Sequence, residues 1–417
     1  MRKLYTFLGT TRYDACIYQC AGWESSKTNF VQVAIIEMLS QRGKKPDEVV
    51  VFLTRTARET NWEDGVSSSG EPESGLYRTL ISRFGENAFR IKTVEIQEHQ
   101  NEEALWDFFE KLEQETEENS QIYLDITHSF RSIPAISLII SNYMRVLKKT
   151  KLGGLFYGTY IHGQEKNPLY DLTKMLALFE WSQAVDDYLR TGSAKLLMEV
   201  MSVHPIENRE DDQLLQLARR LKEVSMVIET CRGQMVDDAI RNAILQLRLL
   251  QEGASPHFKP FQKLLSKIER KFEGYRPGDL ENNIIFIVQW CLDHQLYQQG
   301  YTFLQEGILE ILANHAGLEL NRKNRGLIQA VIYEIIGRNK DSSRTSNHVD
   351  QSLIERWRPL APNLKFYPEL ADYRNSINHA QTMNNTYNHE QVVLKLGEFL
   401  EYTKRFIFKL SCVLVHC

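Results

Sequence analysis

The first 165 residues alternate between short apolar runs and amphipathic stretches. The apolar runs are rich in β-branched or aromatic residues and end at Gly, Thr, Asn or charged residues, which is typical of strands. They are KLYTFLG (3–9), VVVFLT (49–54), IKTVEI (91–96), QIYLDIT (121–127) and LFYGTYI (155–161). The segments NFVQVAIIEMLSQRG, GLYRTLISRFG and EEALWDFFEKLEQE lie between them and have helical spacing. This alternation predicts a mostly parallel sheet with helices on both faces.

Beyond about residue 170 the strand-like runs largely disappear and long amphipathic helices follow. Examples are DLTKMLALFEWSQAVDDYLR and NHEQVVLKLGEFLEYTKRFIFKLSCVLV. Polar and Pro/Gly-containing breaks at 203–211, 253–260, 275–279 and 339–347 separate the helices. The pattern therefore predicts an N-terminal α/β domain joined to a C-terminal helical domain.

Composition narrows the class of protein. A chain of 417 residues favours two domains, and 42% hydrophobic with 25% charged residues is typical of a globular protein. There is no run of eighteen apolar residues and no signal peptide, so we expect no membrane partner. The six cysteines are scattered without zinc-site spacing, which predicts reduced thiols, a cytoplasmic protein and no metal. The net charge of −4 argues against specific binding of duplex DNA.

Two loops that follow predicted strands are rich in small polar residues. Ligands of such sheets bind over the carboxyl ends of the strands. The chain has neither G-x-G-x-x-G nor G-x₄-G-K-[ST], so the pattern favours a phosphate-bearing ligand other than a standard nucleoside triphosphate. The candidate ligand-binding residues are Gly9, Thr10 and Thr11 in the first loop, and Asp125, Thr127, His128, Ser129 and Arg131 in the second.

The second loop leads into a predicted helix. Ser132 is a candidate cap and Pro134 falls in the first turn, so free N–H groups there, together with Arg131, would form an anion site without metal. Apolar residues at i, i+3 and i+4 spacing predict one buried face, made of Ile136, Ile139, Ile140, Tyr143 and Leu147. His128 by itself is more typical of a residue that ties a loop, and its polar neighbours are what favour a ligand contact.

The segment DYRNSINHA (372–380) carries a possible ribonuclease centre. A histidine can serve as base or acid near neutral pH, and an arginine can hold phosphorane oxygens. Arg374, Asn375 and His379 are the candidate catalytic residues. One chain supplies a single Arg and His, so acid–base cleavage would require a homodimer. Taken alone, the segment is more typical of a solvated helix face than of a catalytic centre.

The two segments together resemble the CRISPR-associated ribonucleases that carry the D-x-T-H-G signature, which are accessory proteins of type III CRISPR systems. The resemblance lies in Asp125-Ile126-Thr127-His128 and the terminal R-N-x₃-H, and extends to GTTRY (9–13), VFLTRTARETNW (51–62) and WCLDHQLYQQG (290–300). Ser129 departs from the signature, which has Gly at that position. This difference bears on ring size more than on the role of the site.

The resemblance implies a Rossmann-like CARF (CRISPR-associated Rossmann fold) sensor over 1–170, a helical linker or insertion over 171–280, and an all-α HEPN ribonuclease domain over 281–417. It implies an endoribonuclease that cleaves single-stranded RNA to a 2′,3′-cyclic phosphate without metal. We expect no cofactor. The expected allosteric activator is a cyclic oligoadenylate, with cyclic tetra-adenylate as the expected ring, bound by a homodimer or a higher oligomer.

Two other functions remain open on the sequence. A CARF-sensor transcription regulator would need a basic recognition helix after about residue 170, which the pattern does not contain. A ring nuclease would use the first-half site to degrade the cyclic oligoadenylate. The same hydroxyls and Arg131 could align a 2′-OH for that attack.

Overall fold

The computed structural model describes residues 1–66, 72–98, 101–128, 133–203, 209–252, 259–338, 351–379 and 387–414. The chain divides into two compact units, Met1–Phe179 and Glu180–Cys417. Among the helices of the described ranges, none is both long and apolar enough to cross a membrane. The cysteines within those ranges are free thiols.

The first unit contains the strands of the described residues, together with helices between them. Its strands are β1 (Arg2–Leu8), β2 (Ile17–Cys20), β3 (Trp23–Glu24), β4 (Glu48–Leu53), β5 (Gly65–Val66), β6 (Pro72–Glu73), β7 (Arg90–Glu95), β8 (Gln121–Asp125), β9 (Lys151–Gly158) and β10 (Lys166–Asp171). Its helices are α1 (Val31–Gln41), α2 (Arg55–Ala57), α3 (Leu76–Phe84), α4 (Glu102–Gln114), α5 (Ile133–Lys148) and the start of α6 (Thr173–Thr191). A π-helical turn, Arg58–Trp62, continues α2.

The main sheet has the strand order β3-β2-β10-β9-β8-β1-β4-β7. The strands β9, β8, β1, β4 and β7 are mutually parallel, which confirms the predicted, mostly parallel sheet. The edge formed by β10, β2 and β3 was not predicted. There β10 runs antiparallel to β9 and parallel to β2, and β3 runs antiparallel to β2. These edge strands have only two to six residues, and each includes at least one polar residue, so they lack the long apolar run that marks a central strand.

Helices cover both faces of this sheet, as predicted. Alternate residues of β4 point to opposite faces: Val49 and Val51 pack with α1 and α3, whereas Val50 and Phe52 pack with α4 and α5. Because β1 and β4 are covered on both faces, their sequences are continuous apolar runs.

The prediction of a buried face on α5 is wrong for three residues. Ile140 is fully buried, but Ile139 is 67% exposed, Leu147 is 47% exposed and Tyr143 is 42% exposed. The i, i+3, i+4 spacing correctly identifies an apolar stripe on this helix. Within this unit, Ile136, Ile140 and Met144 are the described residues of α5 that contact the sheet core.

The described part of the second unit is helical, as predicted. Its elements after α6 are α7 (Lys195–Val203), α8 (Arg209–Glu229), α9 (Gly233–Gln251), α10 (Lys259–Lys271), α11 (Leu280–Asp293), α12 (Tyr297–His315), α13 (Arg322–Ile335), α14 (Gln351–Trp357), α15 (Ala361–Leu364), α16 (Tyr367–Asn378) and α17 (His389–Leu414). A 3₁₀ turn, Arg358–Leu360, joins α14 to α15. The predicted break at 275–279 lies between α10 and α11.

One hydrophobic core runs through this second unit. Leu217 of α8 and Ile240 of α9 belong to the same buried cluster as Leu309 of α12 and Phe399 of α17. The helices of the stretch predicted as a linker or insertion therefore share a core with those that follow. Helix α12 is the centre of this part, because it packs against α11, α13, α16 and α17.

Candidate functional sites

The first candidate site lies where strand order reverses in the sheet. The chain runs from β1 to β4 and β7 on one side, and returns to β8 and β9 on the other. The loops after β1 and β8 therefore leave the same sheet edge side by side, which is where open α/β sheets bind ligands. The Thr6 hydroxyl donates to Asp125 Oδ2 at 2.5 Å and joins the two strands just below the loops.

Asp125 holds the second loop from beneath. Its side chain is completely buried, and Oδ1 accepts hydrogen bonds from the Thr127 backbone N–H (3.0 Å) and hydroxyl (2.6 Å). Burial raises the pKa of this carboxyl above its usual value. Asp125 stays a predicted ligand contact, and its complete burial and its hydrogen bonds favour a role in shaping the loop.

Thr127 links the second loop to the neighbouring strand. Its hydroxyl oxygen accepts a hydrogen bond from the N–H of Gly158, the last residue of β9, at 2.8 Å. The same hydroxyl donates a hydrogen bond to Asp125, so the Thr127 hydroxyl already acts as donor and as acceptor within the fold. The half-buried Thr127 remains a predicted ligand contact, mainly through surface other than this hydroxyl.

His128 packs against the first loop. Its ring stacks on Tyr13 with centroids 4.2 Å apart, and burial lowers its pKa to about 4, so the imidazole is neutral at pH 7. Nε2 is buried without a hydrogen-bond partner in the described residues. The Gly9 N–H donates to the Tyr13 hydroxyl at 2.7 Å. A Cβ at Gly9 would come within 2.7 Å of that same oxygen, so the contact requires glycine.

Asn61 is a functional candidate that the sequence reasoning missed. This buried side chain lies in the π-helical turn after α2, and its Nδ2 donates to the carbonyls of Gly9 and Thr11, each at 2.8 Å. It therefore fixes the first loop with Thr10 and Thr11 exposed. The polar segment TARETNW gives no sign that this asparagine is buried, so only the fold identifies it. Predicted contacts Ser129 and Arg131, and the candidate cap Ser132, lie outside the described residues.

The second candidate site lies on α16. The Arg374 side chain is 24% exposed, its Nη1 donates to Asn375 Oδ1 at 3.0 Å, and its Nη2 lies 3.4 Å from Glu306 Oε1. Helix α16 ends at Asn378, and His379 follows as an exposed capping residue whose N–H donates to the Asn375 carbonyl at 2.9 Å. The structure thus joins the side chains of Arg374 and Asn375, and places His379 at the end of the same helix.

Glu306 and Arg325 were not predicted as part of this site. Arg325 donates from Nε to Glu306 Oε2 at 2.8 Å and from Nη2 to Oε1 at 2.6 Å. The apolar stretch YTFLQEGILEILA of α12 contains Glu310 as well as Glu306, so the sequence did not single out Glu306.

Aromatic packing fixes the position of α16. Tyr373, next to Arg374, stacks on Tyr301 of α12 with ring planes 1° apart, and on Tyr387 with centroids 3.7 Å apart. Within the described residues, no group of three His, Cys, Asp or Glu side chains is placed to hold a metal ion.

Residues 3–159 match the family model described as "CRISPR system endoribonuclease Csx1, CARF domain", and residues 177–276 match the model of the second domain of CRISPR-associated protein MJ1674. These matches support the assignment of the chain to CRISPR-associated CARF proteins. The second match falls within 171–280, the stretch predicted as a helical linker or insertion. Neither model reaches 281–417, so a HEPN domain there stays a prediction.

One curated relative matches part of the chain. CRISPR-associated protein MJ1674 of Methanocaldococcus jannaschii is 27% identical over 238 residues, which cover 56% of this CARF protein and 36% of the relative. The chain therefore spans little more than a third of that relative's length.

Proposed function

We propose that this CARF protein is a metal-independent endoribonuclease of type III CRISPR defence that cleaves single-stranded RNA when a cyclic oligoadenylate is bound. The observation that carries the proposal is the combination on one chain of a CARF domain and a helix bearing Arg374, Asn375 and His379. The first part supplies a sensor and the second a set of groups suited to RNA cleavage.

The geometry of the loops after β1 and β8 supports binding of a phosphate-bearing ligand. Asn61 and Tyr13 hold the loop after β1, which leaves Thr10 and Thr11 exposed beside the loop after β8. Exposed hydroxyls and backbone N–H groups at strand ends bind phosphate without metal. A cyclic tetra-adenylate carries several phosphates and would span two such edges in a homodimer.

The chemistry of α16 supports cleavage through a 2′,3′-cyclic phosphate. Arg374 would stabilise the charge on the phosphorane, and His379 would transfer the protons to or from the 2′ and 5′ oxygens. Asn375 accepts from Arg374 and would orient its guanidinium. Each chain contributes one Arg374 and one His379, so a homodimer supplies both an acid and a base. Ligand binding would act by repositioning the two pairs.

The test is an RNA-cleavage assay with the full chain and a panel of cyclic adenylates of different ring sizes. We expect cleavage of a fluorescent single-stranded RNA with one ring size, 2′,3′-cyclic phosphate ends, and no cleavage without activator. Absence of cleavage with every ring would reject the proposal. In that case, ring degradation seen by chromatography would favour a ring nuclease, and salt-resistant DNA binding would favour a transcription regulator.

A further inference from the structure

The Glu306 carboxylate contacts two arginines, which lie on two other helices. It lies on α12, and most of its neighbours along that helix are buried. Its Oε1 accepts from Arg325 Nη2 of α13 at 2.6 Å and lies 3.4 Å from Arg374 Nη2 of α16. One carboxylate oxygen is therefore shared between the candidate catalytic arginine and a second arginine.

The two contacts differ in geometry, and this difference indicates which arginine orients the Glu306 carboxylate. The Arg325–Glu306 pair is bidentate, with a second bond of 2.8 Å from Nε to Oε2, and bidentate pairs fix orientation as well as distance. Arg374 makes a single, longer contact. Arg325 thus sets the direction of the Glu306 carboxylate, and that carboxylate in turn attracts Arg374.

The guanidinium of Arg374 is defined by two neighbours. Nη2 lies against Glu306, Nη1 donates to Asn375, and Nε is buried without a partner in the described residues. A guanidinium has five N–H donors, and each terminal nitrogen keeps one N–H for a further acceptor. Without the Glu306 charge, Arg325 and Arg374 would be like charges with no anion between them.

We propose that Glu306 is a positioning residue that orients Arg374 toward the scissile phosphate, with Arg325 holding Glu306 in place. This inference rests on the proposed ribonuclease function. Glu306 would touch neither the RNA nor the reacting atoms. It acts by fixing Nη2 of Arg374 while Asn375 fixes Nη1, so that the remaining N–H groups meet the phosphate in one orientation.

Glu310 offers a matched control. It lies one turn further along α12, and both glutamates line the same cavity of about 280 Å³. Glu310 is also half-buried but forms no hydrogen bond or ion pair within the described residues. Glu310→Gln and Glu306→Gln therefore remove the same charge from the same cavity wall, and only the second change affects an arginine.

The experiment measures kcat and KM for RNA with the full chain, activated by the cyclic adenylate that gives the highest wild-type rate. For Glu306→Gln we expect kcat to fall by up to about a hundredfold, the cost of misplacing a catalytic group by about 1 Å, with little change in KM. Glu310→Gln should keep the wild-type kcat, and Glu306→Asp should restore part of the loss. The double variant Glu306→Gln/Arg374→Ala should be no slower than Arg374→Ala.

A kcat of Glu306→Gln equal to that of Glu310→Gln, with Arg374→Ala inactive, overturns the positioning role alone. Full activity of Arg374→Ala overturns the ribonuclease assignment and the role of Glu306 with it. If Glu306→Gln does not fold, Arg325→Gln takes its place, since it frees the carboxylate that Arg325 now holds. An unchanged kcat in Arg325→Gln then overturns the proposal.

Discussion

Several polar side chains beside the loops after β1 and β8 fix the conformation of these loops through contacts within the fold. Asp125, Thr127 and Asn61 place their hydrogen bonds within the fold, and His128 packs its ring on Tyr13. Buried polar groups with satisfied partners rigidify a site, because breaking any one of them leaves another unsatisfied. The loops after β1 and β8 are therefore held in place by residues that a binding motif alone would assign to ligand contact.

The first prediction concerns His128 and pH. Burial lowers the pKa of His128 to about 4, below its usual value of 6.5. The neutral imidazole therefore contributes stability that is fully present above about pH 6.5 and is lost as pH falls toward 4. We expect a loss of about 2 kcal/mol in the free energy of unfolding between pH 6.5 and 5, at about 1.4 kcal/mol per pH unit. Denaturant unfolding across this pH range measures it.

The comparison for that prediction is His128→Phe, which keeps an aromatic ring against Tyr13 and cannot titrate. Its unfolding free energy should fall less steeply with pH than that of the wild type. Other groups titrate equally in both proteins, so only the difference between the two curves reports on His128. Parallel curves would show that His128 is not the group responsible.

The second prediction concerns Arg374 and His379. We expect Arg374→Ala and His379→Ala each to lower RNA cleavage by about 10²–10⁴-fold, because Arg374 would stabilise the phosphorane charge and His379 would transfer protons. Cyclic-adenylate binding, measured by calorimetry, should be unchanged, because the sensor loops lie in Met1–Phe179 and these residues in Glu180–Cys417. Asn375→Ala should be milder, since it carries no proton. Loss of ligand binding in either alanine variant would contradict the assignment of two separate sites.

Individual elements meet through a few connections between their ends. The π-helical turn Arg58–Trp62 carries Asn61 to the loop after β1, and the end of β9 meets the loop after β8 through Gly158 and Thr127. In the second unit, α12 provides the surface on which α13 and α16 present their arginines. Each candidate site is thus built at the junction of elements that are distant in sequence.

The third prediction tests the junction made by Asn61. In Asn61→Ala the carbonyls of Gly9 and Thr11 lose their donors, so we expect the unfolding free energy to fall by about 1–3 kcal/mol and the affinity for cyclic adenylate to fall as the loop loosens. Thr60→Ala is the control, because the Thr60 hydroxyl only donates to Thr56 within its own turn. Equal ligand affinity in both variants would mean that the loop does not need Asn61.

At the scale of the whole molecule, the chain combines an α/β unit with a helical unit that has its own core. The CARF match covers the first, and the MJ1674 second-domain match covers the beginning of the second. Since the proposed sensor and the proposed nuclease belong to different units, we expect variants to abolish ligand binding and RNA cleavage independently. This separation is what makes the proposed function testable by variants in one unit at a time.

The fourth prediction concerns metal. The segment DYRNSINHA cannot provide the several carboxylates that a two-metal nuclease needs on ions about 4 Å apart. We expect activated cleavage to survive excess EDTA and to have a bell-shaped dependence on pH, because one histidine must be neutral and its mate in the dimer protonated. The assay titrates EDTA against magnesium and maps the product ends. Complete inhibition that magnesium reverses, with 3′-hydroxyl products, would reject this mechanism and leave the sensor assignment intact.

Sequence alone determined the central strands, the helices on both faces of the sheet and the helical second half, because these depend on hydrophobic periodicity that is local in the chain. It also identified the loops after β1 and β8 and the segment around Arg374. It missed the strands β2, β3 and β10, whose short sequences lack a long apolar run and form strands by pairing at a sheet edge. It assigned α5 a buried face because spacing shows which residues align, not what covers them.

Only the tertiary structure decided which polar residues shape a site and which remain available to a ligand. In the sequence, Asp125 and Asn61 cannot be distinguished from other polar loop residues. Their burial follows from contacts with residues 119 and 52 positions away. Glu306 and Arg325 likewise join Arg374 from other helices, across a separation of 68 residues in the case of Glu306. Such pairings arise when the core packs, because charge and hydrogen-bond partners are then chosen by proximity in space.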